Sequence, residues 1–470
     1  MATTHKLDSN GDGEPFCKYP KALHIEMESN GGPITKFETS GGKTACDDAF
    51  TMGKAINEGK TKVIYDVKSK IPGRCLVVSK DVITAWNGVM KNEMEGKAEM
   101  STATNGAVME ILNNAGIKTA YIKAVSPKSF LAWKCNMIPI EWVARRIATG
   151  SFLKRNKGVK EGYRFYPPKM ETFYKDDEQG DPQWSREVIE ETKLECGGVK
   201  ITPNEIDIME KATITIFEIL ERVWSTKDVN LVDMKIEFGV RTDTNEIVLA
   251  DVIDNDSWRV WPSGDKTKMK DKQVYRNLKE VTASDMTNVK KNYKWVADQL
   301  KELNDFSTTS QDSVHVAVVM GSITDKDHCK KIETACGKFG ISCSLHVSSA
   351  HKSTSDTLKL LGKLEGQSIT KPTVIIAVAG RSNGLGPVLS GNSALPIINC
   401  PPVSDQWGSA DIWSSLRLPS GLACSTVLSP DGAALAAAQI LAQHNFAVWG
   451  KVRALQLINW TKIKKSNDSL

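Results

Sequence analysis

Apolar residues along this 470-residue chain change their rhythm near residue 313. Downstream of that point the pattern is of whole apolar blocks. Val314 to Met320 and Thr373 to Ala379 are unbroken runs rich in β-branched side chains, the signature of strands buried on both faces. Ile341 to Val347 reads as a third strand, Lys326 to Phe339 as an amphipathic helix, and Leu358 to Leu364 as part of another helix. Strand and helix alternating at this spacing predict a doubly wound, flavodoxin-like parallel sheet. Upstream, from Met52 to about Phe306, short strands and helices are mixed among dense charge, and a mixed α+β domain is expected. Its clearest helix is Ile206 to Trp224, with Ile208, Ala212, Ile216, Ile219, Leu220 and Val223 on one side.

The remaining segments are punctuation. Residues 1–50 carry Gly-Gly, Ser-Asn and Asp-Gly steps with few apolar side chains and read as a disordered tail. The polar stretch 304–313 reads as a linker. The expected division is a tail over 1–50, a first domain over 51–306, a linker over 307–313 and a second domain over 314–470.

Composition narrows the function classes modestly. The 61 basic residues are interleaved with 56 acidic ones, and no aromatic stacking motif for RNA is present, so nucleic acid is not the expected partner. No apolar run approaches the roughly 20 residues that span a bilayer, and no basic-then-apolar leader pattern opens the chain. Ten cysteines without a Cys-x-x-Cys pair suggest reduced thiols in a cytoplasmic protein and no zinc site. Histidine is more telling: none of the seven falls between residues 25 and 314. Chemistry there must rest on carboxylates, lysines, arginines and bound ions.

In the second domain, polar loops follow the first three strands: Met320 to Asp325, Ser348 to Lys352, and Gly380 to Pro387. Loops at the carboxyl edge of a parallel sheet share one ligand-binding crevice. Arg381 is the only charged residue between Lys371 and Asp405, and it either reaches the surface or meets an anion. Ser322, Thr324 and Asp325 suit a phosphate at a helix start, or serve only as helix caps. Neither a G-x-G-x-x-G nor a P-loop occurs here, which disfavours a dinucleotide.

In the first domain, Gly53 and Gly59-Lys60-Thr61 imitate a Walker loop, but five residues separate the glycines and a strand follows. Glu58 to Lys62 is therefore expected in a β-hairpin whose two lysines lie over a polyphosphate or are simply solvated. A second hairpin joins Val232–Val240 to Ile247–Val252. Centred on Thr244, it sets Glu237 opposite Asp251, a repulsion of a few tenths of a kcal/mol that a divalent cation would relieve. A slip of one residue would undo that pairing. Arg145-Arg146 before Gly150-Ser151, with Asp254 to Arg259, suit a phosphate monoester or an ordinary ion-pair network.

Together these strings resemble known families. Glu58-Gly59-Lys60-Thr61-Lys62, the run Ile138 to Ser151, and Asp254 to Arg259 are similar to SAICAR synthetase; the loops at Met320, Ser349 and Gly380 are similar to the carboxylase that makes carboxyaminoimidazole ribotide. The order of the halves resembles the animal bifunctional enzymes of purine biosynthesis. The resemblance implies carboxylation of aminoimidazole ribotide by CO2 without ATP or biotin, since the loop is Arg381-Ser382-Asn383-Gly384-Leu385-Gly386. His351, Lys352, Ser382 and Gly384 would serve the reacting ring and CO2, while Ser322, Asp325, Ser349, Arg381 and Ser390 would hold the ribotide. The other half would use ATP and Mg2+ to join L-aspartate to the new carboxylate. Lys60 and Lys62 would face ATP, Glu237 and Asp251 would hold Mg2+, and Arg145, Ser151, Asp256 and Arg259 would bind the ribotide. The resemblance also implies a homo-octamer. Three departures stand out: Thr324 for a serine, Ser353-Thr354 for Gly-Pro, and Trp86 where a small residue is common.

Overall fold

The computed structural model describes residues 49–309, 313–405 and 408–467. Most of the tail expected over 1–50 lies outside the described residues, and Phe50 already opens the first strand, Phe50–Glu58.

Two five-stranded antiparallel sheets and two smaller two-stranded ones build the first domain. One of the larger pair runs in the order Phe50–Glu58, Lys62–Ser69, Arg74–Ser79, Ser129–Trp133, Tyr121–Ser126. The other runs Ile247–Leu249, Val229–Arg241, Cys135–Ile147, Arg164–Tyr174, with Trp258–Pro262 also paired to Val229–Arg241. Helix Pro203–Ser225 covers the second sheet with the face its apolar spacing predicts: Ile216, Ile219, Leu220 and Val223 are all buried. Its start is specified locally by a capping box between Thr202 and Glu205 and by Pro203 in the first turn.

The second domain is a five-stranded, wholly parallel sheet in the order Ser342–Val347, His315–Met320, Thr373–Val378, Ile397–Asn399, Ser425–Thr426. Helices Lys326–Lys338 and Pro430–Leu441 pack on one face, and Thr354–Ser368 with Leu385–Gly391 on the other. This is the doubly wound architecture the block pattern predicts. His315–Met320 has its sequence successors on opposite sides, so the strand order reverses there and a crevice opens at the carboxyl ends.

Two features differ from expectation. Helix Ala283–Thr309 absorbs residues 304–309 of the stretch read as a linker. Polar composition misled because this end packs sideways: Asn304 donates to Glu110 at 2.6 Å, and the Phe306 ring lies 5.2 Å from that of Phe446.

The last helix, Phe446–Asn467, follows the parallel sheet in sequence but also buries side chains in the first domain. Phe446 and Ala454 belong to the same apolar core as Leu220 and Val223. Gly450 permits the close approach: a Cβ there would sit 3.3 Å from Ala115 and 3.6 Å from Ile219. Arg453 pairs with Glu218, and Lys464 meets Asp207 at 2.5 Å. The chain thus crosses between its halves twice. Among the described residues, no helix is long and apolar enough to cross a membrane.

Candidate functional sites

A cleft of about 720 Å³ opens in the first domain. Its floor is one face of two paired strands, where Arg145 lies opposite Asp233 and Glu141 opposite Glu237. Asp233, Lys235 and Glu237 occupy alternate positions and so share that face. The loop between Phe50–Glu58 and Lys62–Ser69 brings Lys60 and Lys62 to the rim, as the hairpin reading expects. A slot of about 350 Å³ adjoins the cleft, with apolar walls that include Ile64, Val77, Met109 and Phe130. Slot and cleft share Gly59, Lys62, Lys175, Glu237 and Asp251.

The register expected for the second hairpin is overturned. Phe238 pairs with Leu249, so Glu237 falls opposite Ala250, whose N–H donates to the Glu237 carbonyl at 3.0 Å. Asn245 adopts φ 56° and the Arg241 N–H donates to the Glu246 carbonyl, closing a four-residue loop in place of one centred on Thr244. Asp251 nevertheless reaches the cleft because strand Ile247–Leu249 has ended and alternation no longer governs it.

Lysines balance these carboxylates. Lys62 pairs with Asp251. Lys60 meets both oxygens of Asp177 at 3.0 Å. Burial raises the Glu237 carboxyl pKa and the Asp251 charge adds to that, against Lys175 and Lys235. Burial also works to raise Asp251, but Lys62 outweighs it and takes the pKa down to about 2. Deeper in the cleft, Asp256 accepts from Lys272 at 3.0 Å and from the Tyr293 hydroxyl at 2.5 Å. Lys97, only 2% exposed, lies 3.6 Å from the same carboxylate. Against burial, Lys97 and Lys272 hold Asp256 well below the usual carboxylate range.

Arg145 and Arg259 both reach Asp233, at 2.5 and 2.6 Å, and Arg145 also pairs with Glu171. Gly150 has φ +59°, and a Cβ there would lie 3.0 Å from an Arg259 nitrogen. That glycine leaves room for the guanidinium beside Ser151, which also lines the cleft.

The second site, about 480 Å³, occupies the crevice of the parallel sheet and gathers Ser322, Asp325, Ser349, His351, Lys352, Arg381 and Ser382 from the three predicted loops. Arg381 and Lys352 are exposed. Ser322 caps the turn after its strand, accepting from the Thr324 N–H at 3.3 Å. Burial raises the Asp325 carboxyl. Gly384 makes space for the catalytic candidate beside it: a Cβ would fall 2.7 Å from His351 Nε2. Asn383 is buried and anchors the loop, its N–H donating to Ser414 at 2.8 Å and its amide to Ser415 at 3.0 Å. Ser390 stands apart from this lining; its hydroxyl donates to the Ala423 carbonyl at 2.6 Å.

Sequence reasoning missed Lys97, Lys175, Asp233, Lys235, Lys272 and Arg276, all of which belong to the first cleft or its buried support. The alternation of Asp233, Lys235 and Glu237 was a usable signal; nothing local marks the buried Lys97.

Two concave sites, one on a charged cleft of the first domain and one in a doubly wound crevice, fit a two-centre enzyme of small molecules. The chain matches the SAICAR synthetase family over residues 55–293 and the AIR carboxylase family over residues 315–460. Multifunctional protein ADE2 of Gallus gallus is 56% identical over 419 residues, which are 89% of this chain and 97% of that one. The Homo sapiens bifunctional phosphoribosylaminoimidazole carboxylase/phosphoribosylaminoimidazole succinocarboxamide synthetase is 54% identical, over 91% of this chain and 99% of its own length. A solved SAICAR synthetase (Type-2) in complex with ADP is 30% identical, over 52% of this chain and 97% of its own, with a TM-score of 0.46. The chain belongs to the family of bifunctional phosphoribosylaminoimidazole carboxylase/succinocarboxamide synthetases.

Proposed function

We propose that the second domain carboxylates aminoimidazole ribotide with CO2, and that the first joins L-aspartate to the product at the expense of ATP. The observation that carries this reading is the pairing of two chemically distinct pockets. One couples an apolar slot to lysines and carboxylates; the other gathers small hydroxyls, one imidazole and two exposed cations.

In the first domain the apolar slot suits adenine, and the charged residues shared by slot and cleft suit a triphosphate at the slot's mouth. Lys60 and Lys62 neutralise the phosphates. Glu237 and Asp251 fit Mg2+, which is commonly held by one or two carboxylates together with substrate phosphates. Bound there, Mg2+ would offset charge as phosphate transfers to the ribotide carboxylate. The aspartate amine then displaces that phosphate, a reaction that asks for positioning and charge balance more than for an imidazole base. Arg145, Ser151, Asp256 and Arg259 hold the ribotide at the opposite end.

In the second domain Ser322, Asp325, Ser349 and Arg381 bind the ribose phosphate. His351 lies beside the imidazole, and Lys352, Ser382 and Gly384 surround CO2. The electron-rich ring carbon attacks CO2 directly and then gives up its proton to restore the aromatic ring, so this step takes neither ATP nor biotin. Ser390 is not assigned a contact, because its hydroxyl is engaged with Ala423. We also propose a homo-octamer in the cytoplasm with the carboxylase halves at its centre, an arrangement supported by the exposed apolar side chains Val403, Trp413, Leu416 and Leu428.

A two-stage assay tests the reading. Aminoimidazole ribotide and bicarbonate give the carboxylated ribotide without ATP, and adding ATP, Mg2+ and L-aspartate gives the succinocarboxamide. A requirement for ATP in the first stage would refute the direct-CO2 assignment.

A further inference from the structure

Trp86 is a bulky side chain in a conformation that suits glycine. Its φ is +53°, in the left-handed region that non-glycine residues enter rarely and at a cost. It opens a short 3-10 turn, Trp86–Gly88, at the tip of a hairpin in which Ala85 pairs with Met90. The residue is 57% exposed, so packing against the protein does not explain why a tryptophan stands there. It lines the large cleft of the first domain and takes no part in the adjoining apolar slot.

The hairpin is firmly placed. Ile83, Ala85 and Met94 pack with the buried rings of Tyr275 and Tyr293. The Tyr275 hydroxyl donates to Asn92 at 2.7 Å, and that of Tyr293 donates to Asp256 at 2.5 Å. The elements beneath the hairpin thus include the short helix Gln273–Arg276, which follows Lys272 and ends in Arg276, and the helix whose Tyr293 holds Asp256. Trp86 lines the part of the cleft that lies outside the adenine slot, offering a large apolar ring face among cations and carboxylates.

We propose that Trp86 is a further substrate-binding residue of the synthetase reaction, its indole stacking on the planar imidazole of the carboxylated ribotide. Aspartate and the triphosphate present no ring, and the adenine slot lies elsewhere, so the ribotide base is the aromatic partner this part of the cleft receives. The inference rests on the ribotide placement proposed above. Stacking of a heteroaromatic base on an aromatic side chain changes affinity by about tenfold or more.

The test uses the full chain and its ATP-dependent step alone, started from carboxylated ribotide. Trp86→Gly suits the backbone and should fold with an unchanged or higher melting temperature. It raises the KM for carboxylated ribotide about tenfold, with kcat and the KM for ATP changed by less than about threefold. Trp86→Phe keeps the KM within about threefold of the parent. An unchanged ribotide KM in Trp86→Gly overturns the proposal, as does a rise confined to the KM for ATP. Arg259→Ala separates that failure from failure of the placement: if it raises the ribotide KM while Trp86→Gly does not, the placement stands and the stacking role falls.

Discussion

Lys175 donates to both carboxylate oxygens of Glu237, at 3.0 and 2.8 Å, and the carboxylate it holds is 2% exposed. Strand Arg164–Tyr174 thereby delivers a cation from just beyond its end to the centre of the cleft floor. With Lys62 on Asp251, each of the two carboxylates assigned to Mg2+ has a lysine partner. These carboxylates are therefore charge-balanced by lysines, and under the function proposed above phosphates and metal would enter by exchanging partners already present.

Removing a carboxylate from this arrangement should separate the two activities. Asp251→Ala or Glu237→Gln lowers the ATP-dependent step by at least about 10²-fold, the scale of losing one preorganised electrostatic group. Carboxylation is unchanged, because His351, Lys352 and Arg381 lie in the other crevice. Both rates are read on the same purified variant, and loss of both in a folded protein would contradict the division.

The Lys62–Asp251 pair also makes a pH prediction. The folded Asp251 carboxyl titrates at about 2, below its ordinary value of 3.8. A depressed acid stabilises the fold above its unfolded pKa and loses that contribution as pH falls through the folded one. The window is therefore about pH 4 down to about pH 2, and the contribution is on the order of 1–2 kcal/mol for this partly exposed pair. Lys62→Met moves the acid-unfolding midpoint of the first domain upward, which tryptophan fluorescence follows.

How much of this was legible beforehand depended on whether a feature was local. The three strands of the parallel sheet and the crevice they feed follow from β-branched blocks and the loops behind them, and Ser322, His351 and Arg381 come together as those loops predict. The Glu237–Asp251 pairing was partly legible. Both residues reach the site, but the register slipped because Asn245 closes a shorter loop than the letters suggest. Lys97 was invisible, since its partner Asp256 lies far along the chain. The docking of Phe446–Asn467 was equally hidden: Gly450 is an unremarked letter until Ala115 and Ile219 are beside it.

That docking ties the synthetase core to the end of the chain. Gly450→Leu forces the last helix away from Ala115 and Ile219 and costs about 1–3 kcal/mol, as overpacking a tight contact does. The thermal midpoint of the first domain falls by several degrees and its activity at elevated temperature falls with it. Calorimetry with separate assays of the two steps checks this.

Gly384 answers for the other site. Gly384→Ala places a methyl group against His351 Nε2, within 2.7 Å in the present geometry, so the imidazole must move. Carboxylation falls by about 10²-fold, the scale of misplacing a reacting group by an ångström. The ATP-dependent step from carboxylated ribotide is unaffected, and the melting temperature changes little because the clash is with a side chain.

The most direct measurement is a crystal structure of the full chain soaked with carboxylated aminoimidazole ribotide. The account predicts density for the ribotide in both pockets, its phosphate near Ser322 and Arg381 in one and among Arg145, Ser151 and Arg259 in the other. Density in only one pocket, or in neither, at saturating ligand would contradict the claim that this polypeptide carries two sites for the same phosphorylated sugar.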